Sequence, residues 1–403
     1  MRMKVSIITP GRFHLFDLAR ELEKHQVLGE IYTTFPKFVA VRFGIPREKI
    51  RSFWLHEVVW RFDRVIRRFI ELPDFQFIFH DLYARNVLIR LRLHADIYIV
   101  GSSFLLPLHP KLKRAGAIAI LERGSTHIEH QSEVLRGLEG KYKLSVRRAH
   151  SKIVEREVKE YWLADFISVP SRFVANTFIQ RGIHPAKLIV NHYGVDISKF
   201  QNSLRHKRGC AMFDPSDQKI RLIFIGALSA RKGVLDLIDL FVRSQSIRGR
   251  YTLTLVGSIT LEFKKYTKAV NWSELPIETV GIVPQDSLKT YLSRADVFLL
   301  PSYEEGLALV QLQALAANLP VIATREAGIE DIDPAKECSW IFDAGDSAEL
   351  ESILQGLTDD EIASKADRTE SIISSLGLTW SDYGCRALAN LQQVMARKNK
   401  KAS

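Results

Sequence analysis

Short apolar runs and longer amphipathic segments alternate along the whole chain. In the clearest example, the apolar runs 297–300 and 321–323 flank a segment whose apolar residues recur at helical spacing. The run at 297–300 has no polar face, which indicates a strand buried on both sides in a parallel sheet. The amphipathic segment predicts a helix over 307–318, which Pro320 ends. Strands alternating with helices in this way predict an α/β fold built on parallel sheets.

The same alternation continues on both sides of a polar segment at 203–218, which has no hydrophobic periodicity. Because 403 residues exceed the usual size of one hydrophobic core, we expect two domains. We assign residues 1–200 to the first, 201–218 to a linker and 219–378 to the second. Further strands are predicted at 4–9, 95–100, 117–121, 221–226 and 251–257, and further helices at 15–25, 234–243 and 379–398.

The composition is that of a soluble globular protein, with 46% hydrophobic residues. No apolar run reaches the roughly 18 residues that a membrane span needs. The amino terminus leads directly into a predicted strand without a signal-peptide pattern, which favours a cytoplasmic location. The three cysteines are widely separated, suit a reducing compartment and show no metal-ligand spacing, so we expect no metal site.

Charge is unevenly distributed between the two halves. Residues 1–200 contain 33 Lys and Arg against 20 Asp and Glu, so they account for more than the whole net charge of +11. This excess predicts an anionic partner for the first half. No nucleic-acid-binding motif is present, and a membrane surface fits better.

The segment 54–92 supports the membrane interpretation. Apolar residues recur there at helical spacing, and arginines lie among them. Such a helix is typical of an element at the surface of an anionic bilayer, although the apolar face could equally pack into the core. We favour core packing for the apolar face and an anionic partner for the arginines. The aromatic residues are Trp54, Phe62 and Phe69, and the arginines are Arg61, Arg64, Arg67 and Arg68.

Two polar turns follow predicted strands of the second half. Glu305 lies where a parallel strand passes into a helix, at the sheet edge where α/β folds bind ligands. The amides of 306–308 would form an anion site at the start of that helix, and Glu305 would face sugar hydroxyls or only cap the helix. Arg231 and Lys232 precede another helix, where the helix dipole disfavours cations unless an anion lies between. We therefore favour a phosphate-binding role for both.

These turns resemble the donor-site signature of the retaining GT-B glycosyltransferases of glycosyltransferase family 4. The similar segments are Pro301-Ser302, Glu305-Gly306, Pro320-Val321-Ile322-Ala323-Thr324 and Arg231-Lys232-Gly233. The resemblance implies two Rossmann-like domains facing across a cleft, with the helix at 379–398 packing back on the first domain. Two positions depart from the family: Gln313 replaces the Glu that holds the ribose, and Ala227 replaces an Arg near the diphosphate.

The same resemblance implies a role for each candidate residue. Glu305 would contact the donor sugar, and His127, in a polar turn after another predicted strand, would reach the same sugar as a second catalytic residue. The turn containing Gly11 and Arg12 would border the cleft near the acceptor. Donor-binding residues would be Arg231, Lys232, Gly306, Leu307, Ala308, Leu309, Gln313 and Val283, the last through backbone beside the nucleotide base.

The implied function is transfer of a sugar, with retention of its anomeric configuration, from a UDP- or GDP-linked donor to a saccharide or lipid-linked acceptor. Such a reaction belongs to cell-surface polysaccharide or lipopolysaccharide synthesis and needs no bound cofactor. Two alternatives remain open. One is a catalytically weakened nucleotide-sugar-binding protein, suggested by Gln313 and Ala227. The other is a different GT-B enzyme, such as an epimerase or a phosphorylase.

Overall fold

The computed structural model describes residues 3–66, 75–201 and 219–402, and these form two parallel β-sheets covered by helices. The first sheet has the strand order β3-β2-β1-β4-β5-β6-β7. Its order reverses between β1 and β4, which is where doubly wound sheets open a crevice for ligands. Its strands are β1 (Val5–Ile8), β2 (Leu28–Thr33), β3 (Ile50–Ser52), β4 (Ile97–Gly101), β5 (Ile118–Glu122), β6 (Phe166–Val169) and β7 (Leu188–Val190).

The second sheet has the order β10-β9-β8-β11-β12-β13 and reverses between β8 and β11. Its central strands are completely buried, as their uniformly apolar sequences predict. Its strands are β8 (Ile220–Ile225), β9 (Tyr251–Val256), β10 (Ile277–Gly281), β11 (Val297–Leu300), β12 (Val321–Thr324) and β13 (Ser339–Phe342).

Helices cover both faces of each sheet. Those of the first half are α1 (Phe13–Lys24), α2 (Lys37–Ala40), α3 (Trp54–Ile66), α4 (Gln76–Arg90), α5 (His109–Arg114), α6 (Ile128–Tyr142), α7 (Ser151–Leu163), α8 (Arg172–Ile179) and α9 (Ile197–Phe200). Those of the second half are α10 (Val234–Arg243), α11 (Gln245–Arg250), α12 (Leu261–Tyr266), α13 (Leu288–Ser293), α14 (Leu309–Ala316), α15 (Ser347–Gly356), α16 (Asp359–Ser375) and α17 (Trp380–Ala402).

The last helix crosses from the second sheet back to the first, where α17 packs against α1. The crossing point is tight, because a Cβ on Gly194 would lie 2.5 Å from the backbone nitrogen of Trp380. The amide of Val195 donates to the carbonyl of Leu378 at 2.7 Å and pairs the two chain segments. The predicted linker at 201–218 lies outside the described residues except for its first residue. None of the helices described is both long and apolar enough to cross a bilayer.

Candidate functional site

A cleft of about 1700 Å³ separates the two sheets, and the points of strand reversal in both sheets open into it. On the first-domain side it is lined by residues that follow β1, β4 and β5, and on the second-domain side by residues that follow β8 and β11. Among the lining residues are Arg12, Phe13, His14, Ser102, Ser103, Glu122, Gly124, Tyr193, Gly226, Ala227, Lys232, Glu305, Leu307, Ala308, Leu309, Val310 and Gln313.

Lys232 and Glu305 meet at the second-domain wall of this cleft, with the ammonium group against the carboxylate. Gly233 makes this arrangement possible. Its φ of +70° follows a short 3₁₀ turn, and a Cβ at this position would collide with the carbonyl of Pro301. Because residue 233 has no side chain, the turn that contains Lys232 can lie directly against the loop after β11.

The ammonium of Lys232 is strongly desolvated. Burial first, and then the charge of Arg231, lower its pKa to about 7. The negative charge of Glu304 counteracts this effect by stabilising the protonated form, and a bound diphosphate would do the same. Arg231 donates instead to the carbonyl of Glu304 at 2.7 Å and lies 3.3 Å from the Glu304 carboxylate. Of the predicted cation pair, only Lys232 lines the cleft.

Glu304 is a residue that the sequence did not single out. Its side chain is fully buried, and its carboxylate accepts hydrogen bonds from the first domain. Although burial raises its pKa, Arg231 and the hydrogen bonds outweigh burial and lower the pKa to about 2. Glu304 therefore joins the domains while Glu305, the next residue, faces the cleft. The donors from the first domain are Ser125, Thr126 and Gln131.

The helix after Glu305 begins later than predicted. Leu307 and Ala308 precede α14, and the amide of Ala308 donates to the carbonyl of Ala327 at 3.4 Å. The first amides of the helix are therefore those of Leu309 and Val310, which corrects the predicted anion site at 306–308. Both residues line the cleft.

Gly306 also has a different position from the one predicted. It is absent from the cleft wall, its carbonyl accepts from the Ser171 hydroxyl at 2.7 Å, and a Cβ on it would collide with the carbonyl of Gly124. Gly306 is thus a point of backbone contact between the two domains. Only glycine permits this close approach.

Gln313 lies one helical turn further along α14 and is buried at the cleft wall. Its Oε1 has no hydrogen-bond partner among the described residues. A buried acceptor without a partner is costly, so this atom is suited to receive a ligand hydroxyl. The side chain of Val283 packs against the core, and Gln285 lines the cleft. The predicted backbone contact of Val283 with the nucleotide base stays a prediction.

His127 does not reach the cleft, which corrects its predicted contact with the donor sugar. Its Nδ1 accepts from the backbone amide of Glu129 and caps α6, and its ring packs against Tyr161 and Phe178. Burial, followed by the charges of Arg181 and Arg123, lowers its pKa to about 3, so it is neutral at physiological pH. The sequence located the turn correctly, but the direction of the side chain was not predictable from it.

The first-domain wall contains a different histidine. His14, in the first turn of α1, contacts Glu122 at the end of β5, with 2.8 Å between Nε2 and Oε1. Arg12 precedes this helix and stacks its guanidinium 4.4 Å over the ring of Phe43. Arg12 lines the cleft as expected for the predicted acceptor side, whereas its neighbour Gly11 is not among the lining residues.

The segment 54–92 differs from the prediction in which face is buried. The apolar residues of α3 that were expected to pack into the core are exposed, with 51% of Trp54 and 66% of Phe62 accessible. The buried side of α3 contains Glu57, which accepts from Thr34 and pairs with Arg61. Of the predicted basic cluster, Arg67 and Arg68 lie outside the described residues, as does Phe69. The exposed apolar face of α3 and α4 consists of Trp54, Leu55, Val58, Val59, Phe62, Ile78, Leu82 and Ile89.

Residues 219–360 match the family model described as "Glycosyl transferases group 1". This part of the chain is therefore similar to group 1 glycosyltransferases. It contains Arg231, Lys232, Glu305 and Gln313, so the second-domain wall of the cleft belongs to the matched region.

A curated relative is the amylovoran biosynthesis glycosyltransferase AmsK of Erwinia amylovora, 26% identical over 278 residues. That alignment covers 66% of this chain and 62% of AmsK, so the chain spans less than two thirds of this relative.

Two solved structures are similar over nearly their whole length. Sucrose-phosphate synthase from Thermosynechococcus elongatus has a TM-score of 0.70 at 15% identity, covering 98% of this chain and 100% of its own. HepE of Anabaena, solved in complex with UDP, has a TM-score of 0.68 at 15% identity, covering 97% and 100%. The chain therefore has the GT-B fold, and the predicted fold class is confirmed.

Proposed function

We propose that this protein is a retaining glycosyltransferase that moves a sugar from a UDP- or GDP-linked donor to a saccharide or lipid-linked acceptor. The observation with most weight is the grouping of Lys232, Glu305 and the first amides of α14 on one wall of the cleft, within the region similar to group 1 glycosyltransferases. It combines a site for a diphosphate with a carboxylate that can hold sugar hydroxyls. The opposite wall belongs to the first domain and is available to an acceptor.

The donor diphosphate would lie between Lys232 and the amides of Leu309 and Val310. The diphosphate gains charge as the bond to the sugar breaks, and preorganised cations and amides stabilise that charge most strongly in a site that excludes water. Glu305 contacts Lys232, so an incoming diphosphate would compete for the ammonium and release Glu305 towards the sugar. Gln313 would accept a hydrogen bond from a ribose hydroxyl through its unpartnered Oε1.

Retention of configuration is proposed from the resemblance of the donor turn to family 4. Of the two carboxylates of the turn, Glu304 is fully buried and hydrogen-bonded to the other domain. It is therefore not available as a nucleophile. The anomeric proton coupling of the product, measured by NMR against that of the donor, tests this part of the proposal.

The acceptor side suggests a substrate at a membrane surface. The exposed apolar face of α3 and α4 adjoins the cleft, since Trp60, Gln76 and His80 of the same two helices line it. Together with the positive charge of the first 200 residues, this face would bring the cleft to a lipid-linked saccharide on an anionic bilayer. We propose a role in polysaccharide or lipopolysaccharide synthesis at the cytoplasmic membrane face. The similarity to AmsK, an amylovoran biosynthesis glycosyltransferase, supports a role in biosynthesis of this kind.

A catalytically weakened nucleotide-sugar-binding protein is the second candidate. Gln313 cannot hold a ribose through two charge-assisted hydrogen bonds as a carboxylate can, and Ala227 lines the cleft without a charge. Product formation separates this candidate from an active transferase.

The first experiment measures thermal stabilisation of the protein by UDP, GDP, UDP-glucose, UDP-galactose and GDP-mannose. We expect one nucleotide series to raise the melting temperature, and the corresponding nucleotide-sugar to release nucleotide diphosphate on incubation with membrane lipid extract. Stabilisation without any release favours the binding protein. No stabilisation by any of the five compounds would contradict a donor site in this cleft.

A further inference from the structure

A histidine–glutamate pair on the first-domain wall has no role in the donor site described above. His14 lies on α1, which follows β1, and Glu122 ends β5, with β4 between these two strands in the sheet. Their side chains are 10% and 5% exposed, respectively, and both line the cleft. The 2.8 Å contact joins Nε2 of the imidazole to Oε1 of the carboxylate. A carboxylate only accepts, so Nε2 bears the hydrogen of this bond.

The other ring nitrogen, Nδ1, has no hydrogen-bond partner among the described residues. With Nε2 protonated by the pairing to Glu122, a neutral imidazole presents a lone pair at Nδ1. The ring is also fixed in orientation. It stacks on Tyr193 with 4.3 Å between centroids and meets the edge of Tyr383 at 6.4 Å. Both tyrosines are buried, so the imidazole has little freedom to turn.

His14 is adjacent to the donor wall through Gly124. A Cβ on Gly124 would lie 3.5 Å from Cε1 of His14, the carbon bonded to Nδ1, and 2.9 Å from the hydroxyl of Tyr193. The carbonyl of Gly124 in turn contacts Gly306, the residue after Glu305. A single glycine thus separates the imidazole from the turn that contains the sugar-facing carboxylate.

Several other titratable groups that line the cleft already contact neighbouring side chains. Glu305 pairs with Lys232, and Asp17 accepts from Arg20 at 2.8 Å. Tyr193 is buried, and burial raises its pKa well above the ordinary value, so its hydroxyl stays protonated and does not take up a substrate proton. His80 lies at the α4 end of the cleft against Phe104 and Trp60. The lone pair of His14 is the acceptor best placed for a substrate hydroxyl.

We infer that His14 is the catalytic base for the acceptor, held in the required tautomer by the positioning residue Glu122. The inference rests on the proposed glycosyl transfer. The acceptor oxygen forms a bond to the anomeric carbon, the bond from that carbon to the diphosphate oxygen breaks, and its electron pair leaves with the diphosphate. The hydroxyl proton passes to Nδ1 of His14. This assignment applies to attack on either face of the sugar, which the product anomer identifies separately.

A tautomer measurement tests the pair without any substrate. Protein labelled with ¹⁵N in its histidines is examined by long-range ¹H–¹⁵N correlation near pH 8, and the His14 signals are identified by their loss in His14→Gln. We expect Nε2 to bear the hydrogen in the parent protein. Glu122→Gln should populate the Nδ1–H form, because a Gln amide can donate to Nε2. A parent imidazole with its hydrogen on Nδ1 would overturn the inference.

A kinetic measurement tests the role in transfer. UDP release from UDP-glucose is followed with membrane lipid extract as acceptor, or with the nucleotide-sugar that the stabilisation panel selects. General-base groups contribute about 10²–10⁴-fold, so His14→Gln should lower kcat by about 10²-fold or more while UDP binding stays within about twofold. Glu122→Gln should give a smaller loss of the same kind. His25→Gln, which changes the C-terminal cap of the same helix, is the matched control and should leave kcat unchanged.

The outcomes separate this inference from the proposed function. UDP release that is equally fast in parent and His14→Gln would overturn the base assignment and leave the transferase proposal standing. A loss of UDP binding in His14→Gln that matches its loss of kcat would also overturn it, because the residue would then only shape the cleft. A parent protein that neither binds nor cleaves any donor of the panel would contradict the proposed function itself.

Discussion

Thr126 of the first domain donates its hydroxyl hydrogen to Glu304 of the second, with 2.7 Å between Oγ1 and Oε1. The backbone amide of Thr126 donates to the same oxygen at 3.1 Å, and Gln131 donates to the other oxygen at 3.0 Å. The carboxylate is completely buried between these donors and Arg231. The ionised carboxylate is stabilised in this position only while the two domains are in contact. Its hydrogen bonds therefore favour the arrangement in which the domains face each other across the cleft.

Glu304→Gln should therefore weaken the closed arrangement. The amide keeps the size of the side chain but loses the charge that several donors share, and each hydrogen bond to a charged group contributes about 1.5–3 kcal/mol. We expect a lower melting temperature and a larger radius of gyration in small-angle scattering. Glu330→Gln, which removes a surface carboxylate paired with Arg325, serves as the control and should change neither. An unchanged radius and melting temperature in Glu304→Gln would show that other contacts close the cleft.

The contribution of Glu304 to the contact between the domains should decrease as the pH falls. Because the pKa of Glu304 is lowered from its ordinary value to about 2, its contribution to closure is complete above about pH 5. It is lost as the pH falls through about 4 towards 2, when the carboxylate takes up a proton. Glu304→Gln should lack this part of the acid dependence of the melting temperature. If the parent and the variant lose stability in parallel over this range, other carboxylates dominate acid unfolding.

Sequence patterns predicted local features better than contacts between distant residues. The strand at 297–300 and the helix at 234–243 were predicted with the observed bounds, because periodicity and Pro or Gly signals are local. Glu305 and Lys232 were both assigned to the donor wall, but their mutual contact was not foreseen. Glu304 and His14 were missed because their partners lie 178 and 108 residues away in the chain. Glu304 meets its donors only when the two domains come together, and His14 meets Glu122 only when β1 and β5 are in place in the first sheet.

Lys232→Ala should weaken binding of UDP, or of GDP if that series is selected, whether or not a sugar is attached. The loss of one charge-assisted hydrogen bond corresponds to about 1.5–3 kcal/mol, or roughly 10- to 150-fold in Kd by calorimetry. Lys264→Ala, at an exposed site on α12, is the matched control. Glu305→Ala should instead slow transfer far more than it weakens UDP binding, because its target is the sugar. Unchanged diphosphate affinity in Lys232→Ala would rule out the phosphate assignment.

Gln313→Glu should tighten nucleotide binding if this position meets the ribose. A carboxylate accepts two hydroxyls with charge-assisted hydrogen bonds, whereas the amide offers the single unpartnered Oε1. We expect a decrease in Kd of roughly tenfold, the equivalent of about 1.4 kcal/mol. Gln245→Glu adds the same charge on exposed α11 and should leave Kd unchanged. Equal affinity in Gln313→Glu and the parent would mean that the ribose lies elsewhere.

The exposed apolar face of α3 and α4 should bind bilayers. Trp54 and Phe62 expose 51% and 66% of their surfaces, and such residues on a helix lie in the interface of a membrane while nearby basic residues contact anionic lipid. We expect sedimentation with vesicles that contain anionic lipid, weaker sedimentation with neutral vesicles, and a decrease at high salt because the Debye length falls below about 8 Å.

Trp54→Ser combined with Phe62→Ser should reduce binding to both vesicle types. Replacing Arg61, Arg64, Arg67 and Arg68 by Gln should remove mainly the salt-sensitive part. Trp162→Ser, on α7 with 59% exposure, is matched in residue type and accessibility and should bind as the parent does. Because α3 lies on the first domain, all variants should keep the parent's affinity for UDP. A parent protein that stays in solution with anionic vesicles at low salt would contradict a membrane-bound acceptor, and the acceptor search would then turn to free saccharides.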